Sequence, residues 1–256
     1  METAVPLPQE LRRRLAGAVP RLKPNEVELL VFQLSTLWLG IRTAVLVDCV
    51  LLSEDEARKL GDVLSKSPAP LFVVYEPSTG QTLGVNWRHA QYRQTGETYC
   101  TEVGGKTPVL LEQLPLAAVA ILEEIGSQDV LEPFLLLEPV EQPHDLVGAV
   151  GHLLDYPVPY CISNSTGQNC LGGVELVVIE SLLVGPGGRQ RLNSFSYPAM
   201  FDGEPLEARL CARVVARGLE AVLIGNTAEM WEHFPELERC TIESTHYRKT
   251  LDQVAL

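Results

Sequence analysis

The stretch Thr43–Tyr75, TAVLVDCVLLSEDEARKLGDVLSKSPAPLFVVY, decides the fold. Thr43–Val50 is a β-branched apolar run of strand type, and Leu71–Tyr75 is a second. Between them, Ser53-Glu54-Asp55-Glu56 has the Ser-x-x-Glu spacing of a capping box, in which hydroxyl and carboxylate each satisfy a backbone N–H at a helix start. That helix is predicted to run through Ser65. Strand, helix and strand make a βαβ unit, whose crossover is expected to be right-handed.

The same reading extends in both directions. Upstream, Asn25 can cap a helix with Glu28 at its third position, and Val27, Leu30, Val31, Leu34, Leu37 and Trp38 recur at helical spacing up to Gly40. Downstream, Pro77-Ser78-Thr79-Gly80 is turn chemistry, and Gln81–Trp87 is expected to return antiparallel. Arg88–Pro108 carries little signal, and a short helix and an exposed Gly104-Gly105 loop are expected there. Helices follow at Leu116–Ile125 and Asp145–Leu154, and strands at Phe134–Glu138 and Val158–Ile162. Val174–Val184 and Arg189–Tyr197 flank Gly185-Pro186-Gly187-Gly188, a hairpin signal with two long arms. Pro205–Gly218 and Thr227–Phe234 read as helices, Ala221–Ile224 as a buried strand and Cys240–Tyr247 as an edge strand. The fold class is therefore α/β (or α+β), a mixed parallel/antiparallel sheet with helices on both faces. Residues 1–256 are expected to form a single domain whose two halves meet near 138–144.

Composition limits the function classes. Twenty Lys and Arg against 33 Asp and Glu give a net charge of −13, a field that repels nucleic-acid phosphates and anionic lipid. Neither nucleic acid nor a membrane is expected as a partner, and Arg12-Arg13-Arg14 is expected to be a solvated helix face. The longest apolar stretch, Leu37–Leu52, is interrupted by Arg42 and Asp48 and is too short to span a bilayer. The start METAVPLPQELRRRL has no apolar signal core, and the six cysteines are spaced for neither a disulfide framework nor a zinc site. Reduced thiols and a cytoplasmic or nuclear location are the expectation. No H-x-x-x-H or H-E-x-x-H pattern joins the five histidines, and no G-x-S-x-G elbow occurs, so neither a metal nor a cofactor is expected.

In open α/β sheets ligands sit beyond the carboxyl ends of the strands. Asp48, Glu76, the run Ser163–Asn169 and Gly225-Asn226-Thr227 each follow an apolar strand, so the candidate binding residues are Asp48, Ser163, Asn164, Asn169, Cys170, Asn226 and Thr227. Caps and turns are the competing use of such residues. Gly167–Gly173 has P-loop glycine spacing but places Gly173 where the phosphate-binding lysine belongs, which excludes a Walker-type site. Cys170 would serve as a nucleophile only if a neighbouring histidine, His144 or His152 in sequence, or a helix N-terminus lowered its pKa. The cluster Phe195, Tyr197, Met200 and Phe201 reads either as core or as an exposed partner-binding patch.

The run Leu153-Leu154-Asp155-Tyr156-Pro157-Val158-Pro159-Tyr160, leading to Asn169-Cys170-Leu171, resembles a eukaryotic group of proteins of this length, Uncharacterised Protein Family 0739. The shared signature is Asn-Cys-Leu a few residues beyond a Tyr-Pro-Val segment. The resemblance implies a eukaryotic intracellular protein, carries over no catalytic residue, and makes the Asn169 loop the first choice of site. The leading expectation is a soluble protein that binds a partner protein or small ligand. The rival is a small-molecule enzyme with its site at the strands' carboxyl ends and Asp48 or Cys170 as the reactive group.

Overall fold

The computed structural model describes residues 7–38, 40–67, 69–91, 99–129, 132–162, 169–185, 188–202 and 241–252. The chain divides into two compact units that alternate along the sequence: Met1–Arg93, Glu124–Pro139 and Ala221–Glu238 in one, Gln94–Glu123, Val140–Glu220 and Arg239–Leu256 in the other. Among these crossings, the step from Pro139 to Val140 falls inside the proline-rich segment at 138–144.

The first unit opens with helices α1 (Leu7–Ala18) and α2 (Pro24–Trp38). The start of α2 differs from the expectation. The helix begins at Pro24, which puts Asn25 inside the first turn rather than at the cap, and the Lys23 N–H donates to Glu26 Oε2 at 2.8 Å. Proline's fixed φ and missing N–H suit the first helical position, so it moves the start upstream of Asn25. Helix α3 (Glu54–Leu64) forms as expected: Glu56 N–H donates to Ser53 Oγ at 3.4 Å and Ser53 N–H to Glu56 Oε2 at 2.9 Å. Arg21 adds a bidentate pair to the same carboxylate, and these contacts hold Glu56 down at a pKa of about 2.

Four strands form one mixed sheet in the order β1-β3-β2-β6: β1 (Ala44–Leu46), β2 (Leu71–Glu76), β3 (Gln81–Asn86) and β6 (Phe134–Leu136). β3 runs antiparallel to both β1 and β2, and β6 runs parallel to β2. The strands of the βαβ unit are thus parallel but not adjacent, because the Pro77–Gly80 turn returns β3 directly onto β2 and occupies the slot between them. Leu71, Val73 and Tyr75 join Leu30, Leu34, Leu37 and Leu60 in the core that α2 and α3 complete. Phe72, Val74, Leu83 and Val85 point the other way and are buried too. Burial on both faces explains why β2 reads as a continuous apolar run rather than an alternating one.

The expected short helix is α4 (Trp87–Gln91). The second unit holds β4 (Cys100–Glu102) and β5 (Val109–Leu111), helix α5 (Leu116–Gly126, which reaches into the first unit's residues), helix α6 (Asp145–Leu153) and β7 (Tyr160–Cys161). β4 pairs antiparallel with β5 and parallel with β7. A separate antiparallel sheet, ordered β10-β8-β9, contains β8 (Glu175–Gly185), β9 (Gly188–Pro198) and the edge strand β10 (Thr241–Thr250). β8 and β9 form the expected hairpin, with Gly185 opposite Gly188 and a register shift at Ser181/Leu182. Along β8 the buried residues Val177, Ile179 and Ser181 alternate, and Val177 and Ile179 pack with Phe195, Tyr197 and Val158. Pro205–Gly218, Ala221–Ile224 and Thr227–Phe234 lie outside the described residues.

Candidate functional site

Asp48 and Glu76 share one rim, since β1 and β2 are parallel and both end there. Their roles differ. Asp48 is exposed two residues past β1. Glu76 is fully buried, and its carboxylate accepts from Ser78 N–H at 2.9 Å, Thr79 N–H at 2.7 Å and Thr79 Oγ1 at 2.6 Å. Burial alone would raise its pKa, but these hydrogen bonds outweigh it and hold the carboxyl below its ordinary value. Glu76 therefore organises the 77–80 turn, the structural use of such a residue rather than the ligand-binding one.

The strand before Asn169 belongs to a different sheet. Among the described residues β7 pairs with β4 and not with the sheet that holds β1, so the strand-end argument does not join Asp48 to Asn169 on one rim of one sheet. Ser163 and Asn164, and likewise Asn226 and Thr227, lie outside the described residues. The segment resumes at Asn169, and from there its backbone is pinned. Asn169 Oδ1 accepts from Leu171 N–H at 3.2 Å, two residues on, an Asx turn that supplies backbone pairing where no ladder exists. Cys170 N–H donates to Val103 O at 2.9 Å, and Gly173 N–H to Leu251 O at 2.8 Å. Leu171 is fully buried among Val103, Ile162 and Leu176, with Cys170 packed alongside. Gly173 has φ +75°, and a side chain at Gly172 would begin 2.8 Å from the Asp252 carbonyl oxygen, so neither position accommodates another residue without strain.

Cys170 is half-buried, and its surroundings do not make it a nucleophile. Burial pushes its thiol above the ordinary value and the charge of Glu102 pushes it further, whereas a reactive cysteine needs the opposite shift. His152, one of the two histidines nearest in sequence, is buried in the last turn of α6. A comparison with family models, with curated proteins and with solved structures found no match. The site therefore rests on its own geometry.

Other candidates resolve into structure. Arg12 makes a bidentate pair with Glu28 at 2.6 and 2.7 Å, while Arg13 and Arg14 share Glu10, so the basic run is matched by carboxylates. Of the aromatic cluster, Phe195 and Tyr197 are core, Phe201 is half-buried, and Met200 alone is well exposed, at 65%. Cys49, Cys100, Cys161 and Cys170 are free thiols, and Cys211 and Cys240 lie outside the described residues. Among the described residues no His, Cys, Asp or Glu group is placed to hold a metal, and no helix is long and apolar enough to cross a membrane. The groups that sequence reasoning missed are the carbonyls of Val103 and Leu251. A backbone acceptor has no residue-type signature, so no sequence signal could have found them.

Proposed function

We propose that this chain is a eukaryotic intracellular binding protein, cytoplasmic or nuclear, that engages a partner protein through the segment between Ile162 and Asn169, with Ser163 and Asn164 as contact residues. Its eukaryotic intracellular setting is the one implied by the resemblance to Uncharacterised Protein Family 0739. The observation that carries the reading is the triple anchorage at the segment's exit, through Asn169, Cys170 and Gly173. An exit that is already fixed lowers the ordering entropy a segment gives up on binding, which is how a short polar segment gains affinity.

The rival, a small-molecule enzyme with Asp48 or Cys170 as its reactive group, has less support. Asp48 shares its rim with a glutamate already committed to a turn, and the Cys170 thiol is pushed toward its unreactive form. The test compares the full chain with a Ser163→Ala/Asn164→Ala variant as bait in a eukaryotic cell extract. Proteins retained by the wild type should fall about tenfold with the variant, equivalent to about 1.4 kcal/mol, at unchanged melting temperature. Equal retention of the same proteins by both baits would refute this assignment of the contact.

A further inference from the structure

Two buried thiols meet where β4 and β7 pair. Cys100 and Cys161 are 0% and 2% exposed, and their sulfurs are 3.4 Å apart. The parallel register sets Thr101 opposite Tyr160 and Glu102 opposite Cys161, so Cys100 and Cys161 lie on a diagonal of adjacent strands. The pair is held from both sides: Cys161 S–H donates to Cys100 Sγ, Cys100 S–H donates to Gln113 O at 3.0 Å, and Glu102 Oε2 lies 3.8 Å from Cys161 Sγ.

We propose that Cys100 and Cys161 are a covalent modification site, a dithiol that hydrogen peroxide converts to an intramolecular disulfide stapling β4 to β7. A disulfide needs sulfurs about 2.05 Å apart and Cα atoms within about 7 Å, and diagonal positions on adjacent strands lie at about that limit, so closing the remaining ~1.4 Å takes side-chain rotation together with a small approach of the β4 and β7 backbones. In the first step Cys161 passes its proton to the Glu102 carboxylate, and its sulfur attacks one peroxide oxygen. The O–O bond breaks, and the departing hydroxide takes the proton back from Glu102 as water, leaving a sulfenic acid on Cys161. In the second, the Cys100 sulfur attacks the Cys161 sulfur, the S–O bond breaks, and the hydroxyl leaves with the Cys100 proton as a second water. Two thiols and one peroxide thus yield one disulfide and two waters. With the second thiol already in contact, capture outruns further oxidation of the sulfenic acid. The hydrogen bond to Cys100, and after it burial, pushes the Cys161 thiol up, so the first step is slow, as at Cys170, and needs excess peroxide; contact with a second thiol, which Cys170 lacks in this pairing, is what commits the product to a disulfide.

This site is independent of the proposed contact segment and can be tested separately. The folded full chain is treated with hydrogen peroxide, quenched with N-ethylmaleimide and digested with trypsin without reductant. Fragment 94–106 carries Cys100, and fragment 107–189 carries both Cys161 and Cys170, since no Lys or Arg lies between 107 and 188. The two fragments should appear linked, two hydrogens lighter than their sum, separable by dithiothreitol, and still linked in Cys170→Ser. Fragmentation of the wild-type linked pair assigns the bridge to Cys161 even if that variant does not fold. Three results would each overturn the proposal: Cys100 and Cys161 alkylated or driven to sulfinic acid without a link, either bonded instead to Cys170, Cys211 or Cys240, or a link that forms only in urea.

Discussion

Gly61→Ala will destabilise the protein, although alanine is the better helix former. In an open helix interior the exchange would gain about 1 kcal/mol from propensity. At this position in α3 the new Cβ would sit 2.5 Å from the Pro133 carbonyl oxygen, a backbone atom that cannot rotate away. Forcing atoms into a packed contact costs roughly 1–3 kcal/mol, so the clash wins and the sign reverses. Gly61→Val, with two further methyls in the same gap, is expected to lose about 3 kcal/mol or more. Gly17 in α1 supplies the control, because its Cβ would meet nothing within 4 Å. Urea unfolding checks the pair: the midpoint should fall for both Gly61 variants and hold or rise for Gly17→Ala. A Gly61→Ala protein as stable as its parent would mean that α3 does not pack against the strand carrying Phe134 as described.

The largest single-residue loss in the second unit is expected at Tyr197. Its side chain is fully buried between the β8–β9 hairpin and Val158, and its hydroxyl donates to Asp202 Oδ1 at 3.3 Å. Tyr197→Ala removes a ring from a closed core and should cost about 3–5 kcal/mol, the range for aromatic truncation. Tyr197→Phe keeps the ring and gives up one long hydrogen bond, worth about 1 kcal/mol or less. The contrast between the two, read as denaturation midpoints, separates packing from polarity. If the two variants lost equal stability, the hydroxyl rather than the ring would be the anchor.

These two positions also show what the sequence could and could not convey. Local chemistry was legible: Ser53 and Glu56 announce their helix because both partners of the capping box lie within four residues, and the glycines at 185–188 announce their hairpin in the same way. α2 starts at Pro24, ahead of the cap that Asn25 offers, because proline's fixed φ suits the first helical position. β4 and β5 carry no strand signal, and β1, β6 and β7 are shorter than the apolar runs that predict them, since strands of two or three residues contain too few positions for a period to register their ends. The site was legible to the same degree. The asparagine at 169 stands out by residue type, while the carbonyls that anchor its neighbours, and the approach of Cys100 to Cys161, depend on contacts between segments that lie about sixty to eighty residues apart in the chain.

On the proposed reading Asn169 is a lock and not a contact: it fixes the exit of the segment proposed to bind and does not touch the partner. Asn169→Ala leaves the Leu171 N–H without its acceptor in a part-buried site, which should cost about 1–3 kcal/mol. The decisive measurement is urea unfolding of Asn169→Ala together with partner retention at a temperature where the variant is fully folded. A lock gives a lower midpoint and retention equal to wild type. A variant with unchanged stability that has lost its partner would contradict it and place Asn169 in direct contact with what this protein binds.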